Sequence, residues 1–121
     1  MNDYDDVLIG KVSERIKLIL KIDLGNNDRC FLKESKANEF VSRWEDSYLA
    51  KISEGKKILK TPKYVSNDVK NKRLYFIRDY VLKEGGIRFA GIVLSYEKQL
   101  QLIDIKTFEG KGLDEIKWLR A

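Results

Sequence analysis

Between Arg73 and Phe108 the hydrophobic residues are dense, two-periodic and sustained enough to form the middle of a β-sheet, which limits the available folds more than any other stretch. Leu74, Phe76, Tyr80 and Leu82 alternate with Arg73, Asp79 and Lys83, the spacing of a half-buried strand. Gly85 and Gly86 interrupt it. Ile87 to Tyr96 is nearly continuous in apolar residues, as expected of a central strand covered on both faces. Tyr96-Glu97-Lys98-Gln99 is polar enough to turn the chain, without the Asn-Gly pair that marks the tightest hairpins. Leu100 to Phe108 returns as a third strand whose phase slips. Leu100 and Leu102 face one way and Ile103 and Ile105 the other, so a bulge near Leu102 or burial of both faces is required.

The flanks are less regular. In residues 4–24, Leu8, Val12, Ile16 and Ile19 fit a helical face, while Ile16, Leu18, Leu20, Ile22 and Leu24 alternate as a strand would; a short helix giving way to a strand at about Arg15 is favoured. Gly25-Asn26-Asn27-Asp28 is a turn by composition, and Arg29 to Lys33 returns as a short strand. Ser35 offers an N-cap to a helix in which Ala37, Phe40, Val41, Trp44, Tyr48 and Ile52 recur at spacings of three and four, ending near Gly55. Pro62 closes any extension. Lys63 to Asn71 reads as a polar connector, and Leu113 to Arg120 as a short terminal helix after the Glu109-Gly110-Lys111-Gly112 break. The expected architecture is α+β: an antiparallel sheet of three to five strands packed against one main helix, with an N-terminal extension and a short C-terminal helix.

At 121 residues the chain is one domain by length. No apolar run is long enough to span a membrane, the N-terminus is acidic where a signal peptide is basic, and the single cysteine, Cys30, excludes an internal disulfide; a cytoplasmic protein is expected. Histidine is absent, which removes imidazole bases, Ser-His and Cys-His dyads and His-ligated zinc. Any catalysis falls to Lys, Arg, Tyr or carboxylates. No glycine-rich phosphate loop or cofactor string is present, so no cofactor is expected.

The net charge of +5 is concentrated in the middle of the chain. Lys51 to Arg78 carries nine cations against Glu54 and Asp68, with Tyr64, Tyr75 and Phe76 interleaved. Cations that contact phosphates beside aromatic faces that stack on bases are what a nucleic-acid groove needs. The candidate contacts are Lys56, Lys57, Lys60, Lys63, Lys70, Lys72 and Arg73, with Lys111 beyond the sheet; the bland alternative is a set of solvated loops. Asp3, Asp5 and Asp6 invite a metal, but the first turn of a helix, where the dipole favours them, is the better account. Trp44 and Trp118, at amphipathic positions, are expected in the core.

From Arg29 onward the order of elements resembles the RelE/ParE/HigB superfamily of bacterial toxins. The carrying residues are Phe40, Trp44 and Leu49, then Leu74-Tyr75-Phe76-Ile77-Arg78, Ile87-Arg88-Phe89, Leu102-Ile103-Asp104-Ile105-Lys106 and Asp114-Glu115-Ile116. The resemblance implies residues 29–121 as a RelE-like core and 1–28 as the extension. It further implies metal-independent cleavage of RNA, or a catalytically degenerate relative, with an antitoxin or host factor as protein partner. By position, Arg88 takes the role of the phosphate-charge stabiliser, Arg78 matches the structural arginine, and Lys106 supports them. The family's strand lysines would fall near Leu74 and Phe76, which cannot do that work. An ion pair of Arg88 with Asp79 or Asp104 across neighbouring strands is the alternative reading.

The Leu102–Lys106 string also resembles the acidic-x-lysine strand of PD-(D/E)xK nucleases, implying Mg²⁺ on Asp104. That family's upstream aspartate would align at Ala90-Gly91, so Glu84 or Asp79 would have to replace it. Asp104 and Lys106 as a solvent-facing pair is the simpler explanation. From a different class, a non-enzymatic module such as a virus- or plasmid-encoded inhibitor would dock on a protein through its sheet edge or basic face.

Overall fold

The computed structural model describes residues 6–121. The region singled out by periodicity forms three antiparallel strands, β4 (Arg73–Val81), β5 (Ile87–Ser95) and β6 (Gln101–Phe108), joined by turns at Leu82–Gly86 and Tyr96–Leu100. The phase slip is a bulge: Val93 pairs with Asp104 and Leu94 with Leu102, leaving Ile103 as the extra residue. β5 is buried on both faces over Ala90–Leu94.

Among the described residues the sheet is wider than expected, with seven strands in the order β1-β2-β6-β5-β4-β3-β7, and it is mixed rather than wholly antiparallel. β1 (Val7–Lys11) and β2 (Arg29–Leu32) form a hairpin-like antiparallel pair, and β2 lies parallel to β6 through one register pair, Phe31 with Gln101. Residues read as an N-terminal extension therefore supply one edge of the sheet. The helix-then-strand reading is inverted: the strand comes first and α1 (Glu14–Leu20) follows, capped by Ser13, whose Oγ accepts from Ile16 N. Ile16 and Leu20 point into the core while Leu18 is exposed, so the alternation there was coincidental.

The Ala37–Ile52 pattern spans two helices, not one. α2 (Glu34–Trp44) and α3 (Tyr48–Lys60) are separated by a 3-10 turn at Glu45–Ser47, and Lys33, not Ser35, is the cap residue. Gly55 does not stop the helix. It sits in mid-α3 against the sheet, where a Cβ would lie 3.2 Å from Ile105 Cδ1, so the missing side chain lets helix and sheet approach. The polar connector contains β3 (Tyr64–Asp68), paired with β4 along its length. The terminal helix shrinks to one turn, α4 (Lys111–Asp114), after which β7 (Leu119–Arg120) pairs with β3.

Side-chain alternation gives the sheet two unlike faces. The front face, with Leu74, Phe76, Ala90, Ile92, Leu94 and Ile105, packs against residues of α1, α2 and α3 such as Ile16, Phe40 and Ile58. The back face buries a smaller cluster of Ile77, Val93 and Phe108, covered among the described residues by Leu113, Ile116 and Trp118 of the C-terminal segment. Both tryptophans, expected in the core, are half-buried and pack against the margins of these clusters. No helix of the described residues is long and apolar enough to cross a membrane.

Candidate nucleic-acid interface

The two faces divide the basic residues. Arg78 lies between Phe76 and Tyr80 on the front side of β4, and Arg88 pairs across from Tyr80 on β5. Both are occupied. Arg78 Nη1 donates to Thr61 O at 2.8 Å and to the Thr61 hydroxyl, tying β4 to the end of α3. Arg88 Nη2 meets Glu54 Oε2 of α3 at 3.4 Å, its guanidinium lies 5.6 Å from the Tyr80 ring centroid, and its Nε is buried without a partner. The ion pair forms, but with Glu54 rather than Asp79 or Asp104. This far exposed, such a pair is worth at most about 1 kcal/mol.

Lys106 is on the opposite face, across from Gly91, with its Nζ 4.9 Å from the Phe108 ring centroid. Arg78, Arg88 and Lys106 are thus separated by the thickness of the sheet and do not converge on one phosphate. Lys63, also on the back side, is committed to Asp79 at 2.9 Å, which holds the Asp79 carboxyl below its usual range. Lys70 and Lys72 lie in the β3–β4 turn, Lys56, Lys57 and Lys60 on α3, and Lys111 on α4, all exposed.

One convergence survives on the back face. Arg73, Tyr75, Val93, Ile103, Asp104 and Lys106 line a polar cleft of about 330 Å³ that Lys36 of α2 completes. Arg73 and Lys106 were expected from the sequence, and Tyr75 was noted there among the aromatics interleaved with the cations; Lys36 was not assigned, because only the fold brings α2 beside β6. Asp104 does not pair with Lys106. Its Oδ1 takes Arg43 Nη1 at 3.2 Å and Ile105 N at 2.9 Å, and Arg43 continues through Glu39 to Lys36. The guanidinium of Arg43 is itself held 5.6 Å from the Phe40 and Trp44 ring centroids, so the cleft's one carboxylate is neutralised by a fixed cation.

The same packing argues against Mg²⁺. At Gly91, where a second carboxylate would align, a Cβ would come within 2.5 Å of Phe108 and 2.6 Å of Ile77, so no aspartate fits. Glu84 lies in the β4–β5 turn, away from Val93, the β5 partner of Asp104. Among the described residues no group of three potential ligands gathers. Asp3 and Asp5 fall outside the described residues, whereas Asp6 accepts from Lys33 Nζ at 3.0 Å and from Glu34 N at 3.3 Å, bracing the start of α2. Cys30 is fully buried in apolar surroundings that push its thiol far above the usual range, which makes it inert as a nucleophile. Comparison with protein-family models, with characterised proteins and with solved structures gives no match.

Proposed function

We propose that the protein binds the phosphate backbone of a nucleic acid in the back-face cleft and does not cut it. The observation that carries this reading is that cations from three separate elements meet around one concavity whose carboxylate is already paired: Arg73 and Lys106, which hold no ion pair among the described residues, and Lys36, which also holds Glu39 at 3.0 Å. Phosphate contacts of this kind supply sequence-independent affinity, and Tyr75 offers an aromatic surface of the sort on which bases stack. A centre that stabilises a scissile phosphate needs its cations on one side, and here two of the three candidates belong to the other face. The degenerate form of the RelE-like resemblance is therefore the one carried forward. That resemblance puts RNA ahead of DNA, and the reducing cytoplasm is the setting its single thiol suits.

Filter binding to single-stranded RNA at about 50 and about 200 mM salt tests it: three phosphate contacts give a log–log slope of about −2, roughly a 20-fold loss over that range. Reversing charge in Arg73→Glu with Lys106→Glu removes the binding, while Arg88→Ala leaves it at the wild-type level. Affinity indifferent to salt, or surviving the double reversal, overturns the site, and RNA fragments formed without added metal overturn the claim that the bond is left intact.

A second reading is favoured by the sheet edge. β2 meets β6 at one register pair, so among the described residues Ile103–Phe108 has no strand along its outer side. Such an edge accepts an extended segment of a protein partner. Failure to bind RNA even at low salt, with binding to a protein partner retained, would favour it.

A further inference from the structure

We propose a second, separate ligand site: the cavity between β1, the start of α1 and the end of α3 takes a small soluble phosphate monoester with an apolar body. It encloses about 600 Å³, within the range of small-molecule sites. Ile9, Gly10 and Leu59 make its floor, and Lys11, Lys56 and Lys60 stand around it. Lys56 and Lys60 are four residues apart on α3, so both project from one side of the helix.

The local charge balance selects the head group. Glu14, which also lines the cavity, is held by Lys17 Nζ at 2.6 Å; Asp28 is shared between Lys17 at 3.1 Å and Lys11 at 3.6 Å. Two carboxylates and two ammonium groups therefore cancel. Lys56 and Lys60 meet no carboxylate within salt-bridge distance among the described residues. Two uncompensated positive charges at the mouth of an apolar concavity match a monoester carrying nearly two negative charges at neutral pH. Lysine binds phosphate as a point charge, without the fixed fork that arginine imposes. A concave site of this size favours a discrete molecule over a lipid surface, which would need an exposed apolar face around the cations. The cleft of the previous section contributes no residue here, so either site stands without the other.

Isothermal titration calorimetry of the full chain with 1-naphthyl phosphate, inorganic phosphate and 1-naphthol separates the contributions. The expected result is one equivalent of naphthyl phosphate bound, with inorganic phosphate and naphthol each weaker by about tenfold or more, because each lacks half of the recognition. Lys56→Met with Lys60→Met weakens the ester by about tenfold or more, Lys56→Arg with Lys60→Arg retains it, and Arg73→Glu leaves it unchanged. Both lysines are exposed, and an unaltered thermal midpoint in the Met variant shows that the fold is intact. Equal binding of inorganic phosphate, equal binding by the Met variant, no binding at all, or binding to phosphatidate vesicles in place of the soluble ester each overturns the proposal.

Discussion

Gly91 stands opposite Lys106 at the centre of β5, and the space its side chain would take is filled by Phe108 and Ile77. Even a methyl group must displace an aromatic ring that is itself wedged against Tyr75 and Trp118 at 6.1 and 5.7 Å between centroids. Gly91→Ala is therefore expected to destabilise the protein by about 1–3 kcal/mol through overpacking, measured as a lower urea midpoint with an unchanged slope. A neutral or stabilising result would mean that the back-face cluster is loose. The same residue illustrates what sequence reasoning reaches. That a glycine interrupts the apolar run was visible, and it left an aspartate unaccounted for; that the vacancy is filled from β4 and β6 required the pairing register. The front-face contacts of Arg78 and Arg88 were hidden for a related reason. Arg78 is five positions after Arg73 on one strand, so their opposite facing was implicit in the alternation, but nothing in the local string reveals that Glu54 of α3 and Thr61 at its end stand ready.

Among the elements, β4, β5 and β6 were legible because period and burial agree, down to the bulge at Ile103. β3 was not, since Ser66, Asn67 and Asp68 read as loop. The side chains of Asn67 and Asp68 are satisfied one group at a time: Asn67 Nδ2 donates to Leu20 O, Tyr96 Oη donates to Asn67 Oδ1, and Asp68 accepts from Asn71. The break between α2 and α3 was equally hidden, because Glu45, Asp46 and Ser47 occupy polar positions of the helical pattern whether or not it continues. The chain turns there by placing Glu45 at φ 47° and ψ −113°, a region that residues with a Cβ rarely enter. Strain of this kind costs about 1–3 kcal/mol, and glycine relieves it while losing more freedom on folding, so Glu45→Gly should raise stability by a net of about 1 kcal/mol. Differential scanning calorimetry reads the change. A lowered midpoint would show that the side chain contributes more to this corner than the backbone gives up.

For the molecule as a whole, stability should fall on the acid side before the alkaline one. Hydrogen bonds from Lys17 to Asp28, Lys36 to Glu39, Asn71 to Asp68 and Lys63 to Asp79 hold these carboxyls below their ordinary range. Since the folded values lie below the unfolded ones, their stabilisation is complete above about pH 5 and is lost as pH falls through the depressed folded values. Lys17 is raised, chiefly by its hydrogen bond to Glu14, and Tyr96 by burial, so both contribute fully below about pH 9 and lose that contribution as pH rises through the folded values. Urea midpoints measured from acid to neutral pH should climb to a plateau, and Asp28→Asn should flatten the climb; a midpoint independent of pH would deny the ion pairs any share. The division of the sheet has a consequence of another order. On the proposed reading Arg73 and Lys106 hold the ligand from places that alternate with the front-face core residues Leu74 and Ile105, so a lineage can exchange those cations, drifting from polyanion to some other target, while inheriting the front face unchanged.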